Sequence, residues 1–239
     1  MGYALNVTVA MMLVGCGGSQ LSIGASSGTP LSYAQSISAN GSTSWMDSSA
    51  SRSDLLYVSN VTGPAVNVYR YHKPKLVGVL AGFDQPYGEC VDTANDIYVA
   101  DFGGRKVFEF AHGGTQPIKI IDDSPYKPIG CAVDPTSGDL AVANAEELSI
   151  RGSLAVYRRA RGKARIYTGP LQGYVTCAYD NSGNLLATDG QENSSYMGSG
   201  FAWLARGSHK LATLRCTAAR RFSGTTTMFT ESSGTGNIA

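Results

Sequence analysis

Charged side chains are scarce in this sequence. Asp, Glu, Lys and Arg make up 15% of its 239 residues, where about a quarter is usual. They almost cancel, to a net charge of +1, and no basic stripe appears. Nucleic acid therefore has no electrostatic footprint here, and neither does an anionic membrane surface. Histidine is scarcer still, with only His72, His112 and His209. The three fall in separate repeats of the pattern described below, too far apart for a catalytic triad. Among five cysteines no C-x-x-C pair occurs, which removes the zinc-site and thioredoxin-like readings. No stretch keeps a 3.6-residue period, so helix content should be near zero. Glycine is what abounds, at 29 residues. Many glycines with β-branched residues and little charge suit a turn-rich all-β chain.

The N-terminus reads as an export signal. Met1 to Val14 is apolar but shorter than the ~20 residues a membrane-spanning helix needs, and it has the size of a signal-peptide core. Leu13-Val14-Gly15-Cys16 resembles the bacterial lipobox. That resemblance implies that residues 1–16 are a lipoprotein signal and that Cys16 carries the lipid. Residues 17–53 are rich in Ser, Gly, Thr and Ala, the composition of a flexible tether. Within it, Gly24-Ala25-Ser26-Ser27-Gly28 matches the G-x-S-x-G of a nucleophile elbow. It lacks the strand before and the helix after that the elbow requires, so it is read as chance.

From Asp54 to Leu214 four columns repeat. Apolar segments close on Asn60, Asp101, Asn144 and Asp189, at intervals of 41, 43 and 45 residues. That period fits a unit of four short strands, one blade of a β-propeller. Three of these segments are preceded by short apolar strands ending on Asp92, Asp134 and Asp180, each followed by turn residues. A third column carries an aromatic (Tyr69, Phe108, Tyr157, Trp203), and a fourth is apolar (76–80, 118–121, 165–167, 211–214). The expected fold is all-β: a propeller of four-stranded antiparallel blades, about four of them, in an incomplete ring. The first visible unit starts at its second strand.

Gly-x-x-x-Asp, a turn, Ile97-Tyr98-Val99-Ala100-Asp101 and then Arg105-Lys106-Val107-Phe108 closely resemble the NHL repeat. The chain is also similar to gluconolactonase-like propellers, in which an Asn or Asp just before the first-strand glycine binds metal. The matching positions are Tyr87, Ile129 and Val175, and none can ligate a hard cation. No metal, no cofactor and no enzymatic activity are therefore expected.

After Leu214 the periodicity stops, and 215–239 reads as an aberrant tail. With a permitted choice of wobble bases, one shifted frame of this stretch passes through VYGVQWDGEY, which mimics the sequence from Pro86 to Asp92. A frameshift that cut a longer propeller short is the resulting expectation. It leaves Cys16 to lipid and Cys216 to the tail. Cys90, Cys131 and Cys177 are then small buried residues of the first strands. No disulfide is expected, since equivalent positions in neighbouring blades rarely meet disulfide geometry.

The column Asn60, Asp101, Asn144 and Asp189 has two readings. It could face a central channel and bind a cation, or each residue could cap the turn after its strand. The second is favoured. The loops after the second strands, with the segments feeding the first strands, share one face. It should carry Tyr87, Arg105, Tyr126, Glu146, Glu147, Tyr174, Glu192 and Tyr196. Aromatics mixed with charge on loops suit a protein or glycan ligand. The expected role is a lipid-anchored binding or scaffold module of the cell envelope. The rivals are a propeller lactonase or lyase and a non-functional truncated remnant.

Overall fold

The computed structural model describes residues 43–145, 150–169, 171, 173–188 and 200–215, the last three by their backbone. Sixteen strands in this set form four sheets, each four-stranded and antiparallel. The first blade holds β1 (Trp45–Met46), β2 (Leu55–Asn60), β3 (Ala65–Arg70) and β4 (Leu76–Ala81). The second holds β5 (Pro86–Val91), β6 (Ile97–Asp101), β7 (Lys106–Phe110) and β8 (Pro117–Asp122). The third holds β9 (Lys127–Val133), β10 (Leu140–Ala145), β11 (Ser153–Tyr157) and β12 (Arg165–Tyr167). The fourth holds β13 (Thr176–Tyr179), β14 (Leu185–Thr188), β15 (Gly200–Leu204) and β16 (Ala212–Arg215). Single 3-10 turns at Ala50–Arg52 and Arg158–Ala160 are the helical content among the described residues. These are blades of a β-propeller whose ring is not closed.

In blades two to four the strands pair in chain order, and the first strands β5, β9 and β13 lie side by side. Each inner hairpin turns on the Asp that ends its first strand. Asp92 Oδ1 accepts from the backbone N–H of Ala94 and Asp96, and Asp180 Oδ1 from those of Ser182 and Asn184. Asp134 accepts from Thr136 in the same way. These are Asx turns, formed by the short side chain mimicking a backbone acceptor.

The first blade differs. Among the described residues it has no first strand, as its sequence pattern implies, and its sheet order is β1-β4-β3-β2. The fourth strand of this sheet is added at the outer edge, where Trp45 pairs with Val79 and Met46 with Gly78. Both residues belong to the 17–53 segment read as a tether, so the structured part begins earlier than the expected Asp54. Two residues are too few to show alternation, which is why the sequence pattern missed this strand.

The core sits between blades. Val66, Val68, Val77 and Leu80 of the first blade pack on Ile97, Val99 and Phe110 of the second. Tyr98, Val107 and Ile121 meet Leu140, Val142 and Ala155 across the next junction. Leu154, Ala141 and Ala143 meet Leu185, Ala187 and Cys177 across the last. Each fully buried side chain of Val or Leu size contributes about 1.5–3 kcal/mol. Because side chains alternate along a strand, every second-strand residue faces either the preceding blade or the following one.

That alternation overturns the expectation of no disulfide. Cys90 and Cys131 are bonded, with Cα atoms 5.6 Å apart. Counted back from the closing Asp, Cys131 and Cys177 hold one position and Cys90 the next. The one-residue offset turns Cys90 toward the following blade and Cys131 toward the preceding one, so the two thiols meet. Close approach of the first strands makes the distance possible. A Cβ on Gly88 would stand 2.6 Å from the Ile129 carbonyl oxygen, and one on Gly130 2.6 Å from that of Val175. Only glycine allows such contact.

The same offset yields a prediction. Ala132 is to Cys177 as Cys90 is to Cys131, and both lie in one buried cluster. Ala132→Cys is expected to cross-link to Cys177 on oxidation, adding up to about 4 kcal/mol of stability through loop closure. Peptide mapping without reductant checks it, and absence of the 132–177 linked peptide would refute the offset rule.

Candidate functional site

Among the described residues, the turns after β2 and β6 and the crossovers between blades share one face, and Tyr87, Arg105 and Tyr126 lie there. The Asx column holds this face to the blades. Asp101, buried, accepts from the backbone N–H of Asp84 at 3.1 Å and of Gln85 at 2.6 Å, pinning the crossover from the first blade. Asn60 Oδ1 accepts from Gly63 N and Thr62 Oγ1, both at 3.0 Å, within its own turn. Asn144 is fully buried, and its amide donates to Ser153 Oγ at 3.2 Å. Each of the three engages the chain beside it. Asp189 lies outside the described residues.

Between the second and third blades the face is built around aromatic rings. Tyr87, in β5, packs on Phe102 with ring centroids 5.2 Å apart. Lys127 Nζ stands 4.5 Å above the Phe102 ring centroid, a cation–π distance. The turn after Phe102 carries Arg105 at φ 55°, in the left-handed region. Its guanidinium donates to the Pro125 carbonyl and its own carbonyl accepts from Asp123 N, so it clasps the crossover that carries Tyr126. Tyr87, Arg105, Tyr126 and Lys127 are all partly exposed. The sequence reading named three of these four and missed Phe102 and Lys127. Phe102 opens the loop after β6, and Lys127 stands one residue beyond Tyr126.

Tyr174 is a correction. It was expected on this face but is 0% exposed, packed with Leu171 and Leu185 between the third and fourth blades. Its backbone N–H donates to the Asn144 carbonyl at 3.2 Å, which draws this crossover inward and turns the ring into the core. Glu146, Glu147, Glu192 and Tyr196 lie outside the described residues, as does Cys16.

Three acidic groups behave differently beneath the face. Burial raises the Glu89 carboxyl above its ordinary range, although the Ser59 hydroxyl of the first blade donates to it. Asp123, 2% exposed, is pushed up to about 6 by burial, against hydrogen bonding from Tyr157 and Asn144. Asp122 beside it stays exposed, held below the usual carboxylate range by the Ser124 hydroxyl and N–H. The histidines stand apart: His72 by Asp54, His112 Nε2 3.0 Å from the Ser53 carbonyl, and His209 Nδ1 2.7 Å from Arg165. Tyr87 and Ile129 lie in first strands and Val175 just before one. A hollow of about 370 Å³ opens instead at the outer strands of the last two blades, lined by Tyr167, Thr168, His209 and Lys210.

No family model and no curated protein matches the chain. Solved structures do. Hydrazine synthase of Kuenenia stuttgartiensis aligns at 19% identity and a TM-score of 0.59, over 68% of this chain and 46% of that one. A chain of the nidogen/laminin complex aligns at 15% identity and a TM-score of 0.52, over 66% and 60%. The chain thus spans about half the length of these structural neighbours. At such identities the likeness concerns the fold, and it agrees with four consecutive blades of a propeller.

Proposed function

We propose that the chain is an exported, lipid-anchored protein of the cell envelope, with NHL-like blades that serve as a binding or scaffold module for a glycan or protein. The Tyr87–Phe102–Lys127 platform carries the binding part of this reading. It combines flat aromatic faces with a cation on a crossover clamped at several points. Such pre-organisation lowers the ordering cost of recognition. The Cys90–Cys131 bond supports export, because disulfides persist in oxidising compartments. No enzymatic role is assigned to the face.

The test has two arms. Expressed in a bacterial host, the full chain should partition with membranes and incorporate labelled palmitate, and Cys16→Ala should abolish both. Purified protein should bind isolated peptidoglycan or a component of a glycan and envelope-peptide array. Phe102→Ala with Lys127→Ala should weaken that binding at least about tenfold, the loss of one 1.4 kcal/mol contact. Unlabelled wild-type protein would defeat the anchor, and binding indifferent to the double substitution would defeat the platform.

A further inference from the structure

The two ends of the blade stack are open in complementary ways. Ile97, Val99, Leu140, Val142, Leu185 and Ala187 all point back at the preceding blade and are at most 1% exposed. Leu56 and Val58 hold the same positions in the first blade and are 42% and 41% exposed. At the far end Trp203 takes the forward-facing position of Val68, which is fully buried, yet is itself 47% exposed. Leu186 and Phe201 flank it, half-exposed. Apolar surface of this kind marks an interaction site, and stacked repeats need their ends covered.

We propose that the occupant is a second copy of this chain. The backward face of the first blade in one copy packs on the forward face of the fourth blade in the other. Both junctions then bring together the second- and third-strand faces that already meet three times within each chain, without the first strand that the following blade supplies there. Two copies give eight blades, within the four-to-eight range of propellers, and a two-fold axis along the channel makes the head-to-tail junctions identical and closed.

Thr176 selects this partner over a further blade of the usual kind. Gly88 and Gly130 occupy the position where the next first strand presses within 2.6 Å of a would-be Cβ. The same position in the fourth blade is Thr176, exposed at the start of β13. A following blade with a first strand would strike its side chain. The first blade of a second copy has no first strand among its described residues, so Thr176 has room. Within the 239 residues no other segment fits: 216–239 is shorter than any blade, and 1–42 carries none of the four columns.

Sedimentation of the full chain carrying Cys16→Ser, with its disulfide formed, tests the pairing at micromolar concentration. The expected mass is twice the 25.1 kDa of one chain. Leu56→Glu with Val58→Glu should give monomer, and so should Leu186→Glu with Trp203→Glu. Mixing the two variants should restore a dimer, because one intact junction remains between them. A monomeric parent chain would overturn the proposal. So would dissociation by only one of the two variants, which means like faces pair, or failure of the folded mixture to reassociate.

Discussion

Reducing the Cys90–Cys131 bridge is expected to lower the unfolding free energy by roughly 4 kcal/mol. The bond spans a sequence separation of 41 residues, and opening it returns that much loop freedom to the unfolded chain. It joins β5 to β9, the first strands of the second and third blades, where the sheets approach most closely. For a folded unit of this size, the loss corresponds to a fall in melting temperature of about 8–16 °C. Cys90→Ala with Cys131→Ala should reproduce the effect of reductant. Cys177 does not confuse the measurement, because burial pushes its thiol up to about 12 and leaves it unreactive in the folded state. Urea unfolding with and without reductant checks the claim. A more expanded unfolded state after reduction should also steepen the denaturant dependence. An unchanged midpoint would show that the bond constrains nothing the blades do not already fix.

The blades were legible because they obey backbone rules. A strand that packs on both faces must be apolar along its length, as 97–100 and 140–143 are, and an inner hairpin needs an Asx turn after Asp92, Asp134 and Asp180. Those requirements recur at the blade period, so second and fourth strands could be placed to within one or two residues, and each third strand could be marked by one aromatic that lies in it. What escaped was contact between blades. The disulfide depends on a one-residue offset between Cys90 and Cys131, which reads as misalignment until the two faces of each blade are told apart. Tyr174 sits in a crossover, where sequence predicts surface, but a single backbone bond to Asn144 draws it inward. Phe102 and Lys127 meet only because β5, β6 and β9 converge, and neither residue is unusual in its own segment. Of the residues expected on one face, Tyr87, Arg105 and Tyr126 do come together there, and Tyr174 does not.

Replacing Asp123 by Asn should stabilise the protein near neutral pH and leave it unchanged in acid. Asp123 follows β8 and is buried against the third blade, where the Tyr157 hydroxyl donates to one carboxyl oxygen. The other oxygen has no hydrogen bond, and neither has Asn144 Oδ1. Burial raises the folded-state pKa from 3.8 to about 6, with Asp122 adding a smaller push in the same direction. A carboxyl raised in this way holds its proton more tightly folded than unfolded. Its favourable contribution is complete below about pH 4 and is lost as pH rises through 6. By neutral pH the ionised, desolvated group costs about 2–3 kcal/mol relative to its protonated form. Asp123→Asn removes the charge and keeps an acceptor for Tyr157. The expected gain is about 1–3 kcal/mol at neutral pH, shrinking to nearly nothing at pH 4. Asp122, Asp134 and Asp180 are all held below their ordinary range and lose stabilising interactions in acid, but they are common to both proteins and cancel in the difference. Paired urea titrations of the two proteins across this pH interval measure it. A gain that is equal at both ends of the interval would mean that Asp123 is not the group that ionises, and that its burial is offset by hydrogen bonds stronger than Tyr157 and Asn144 supply.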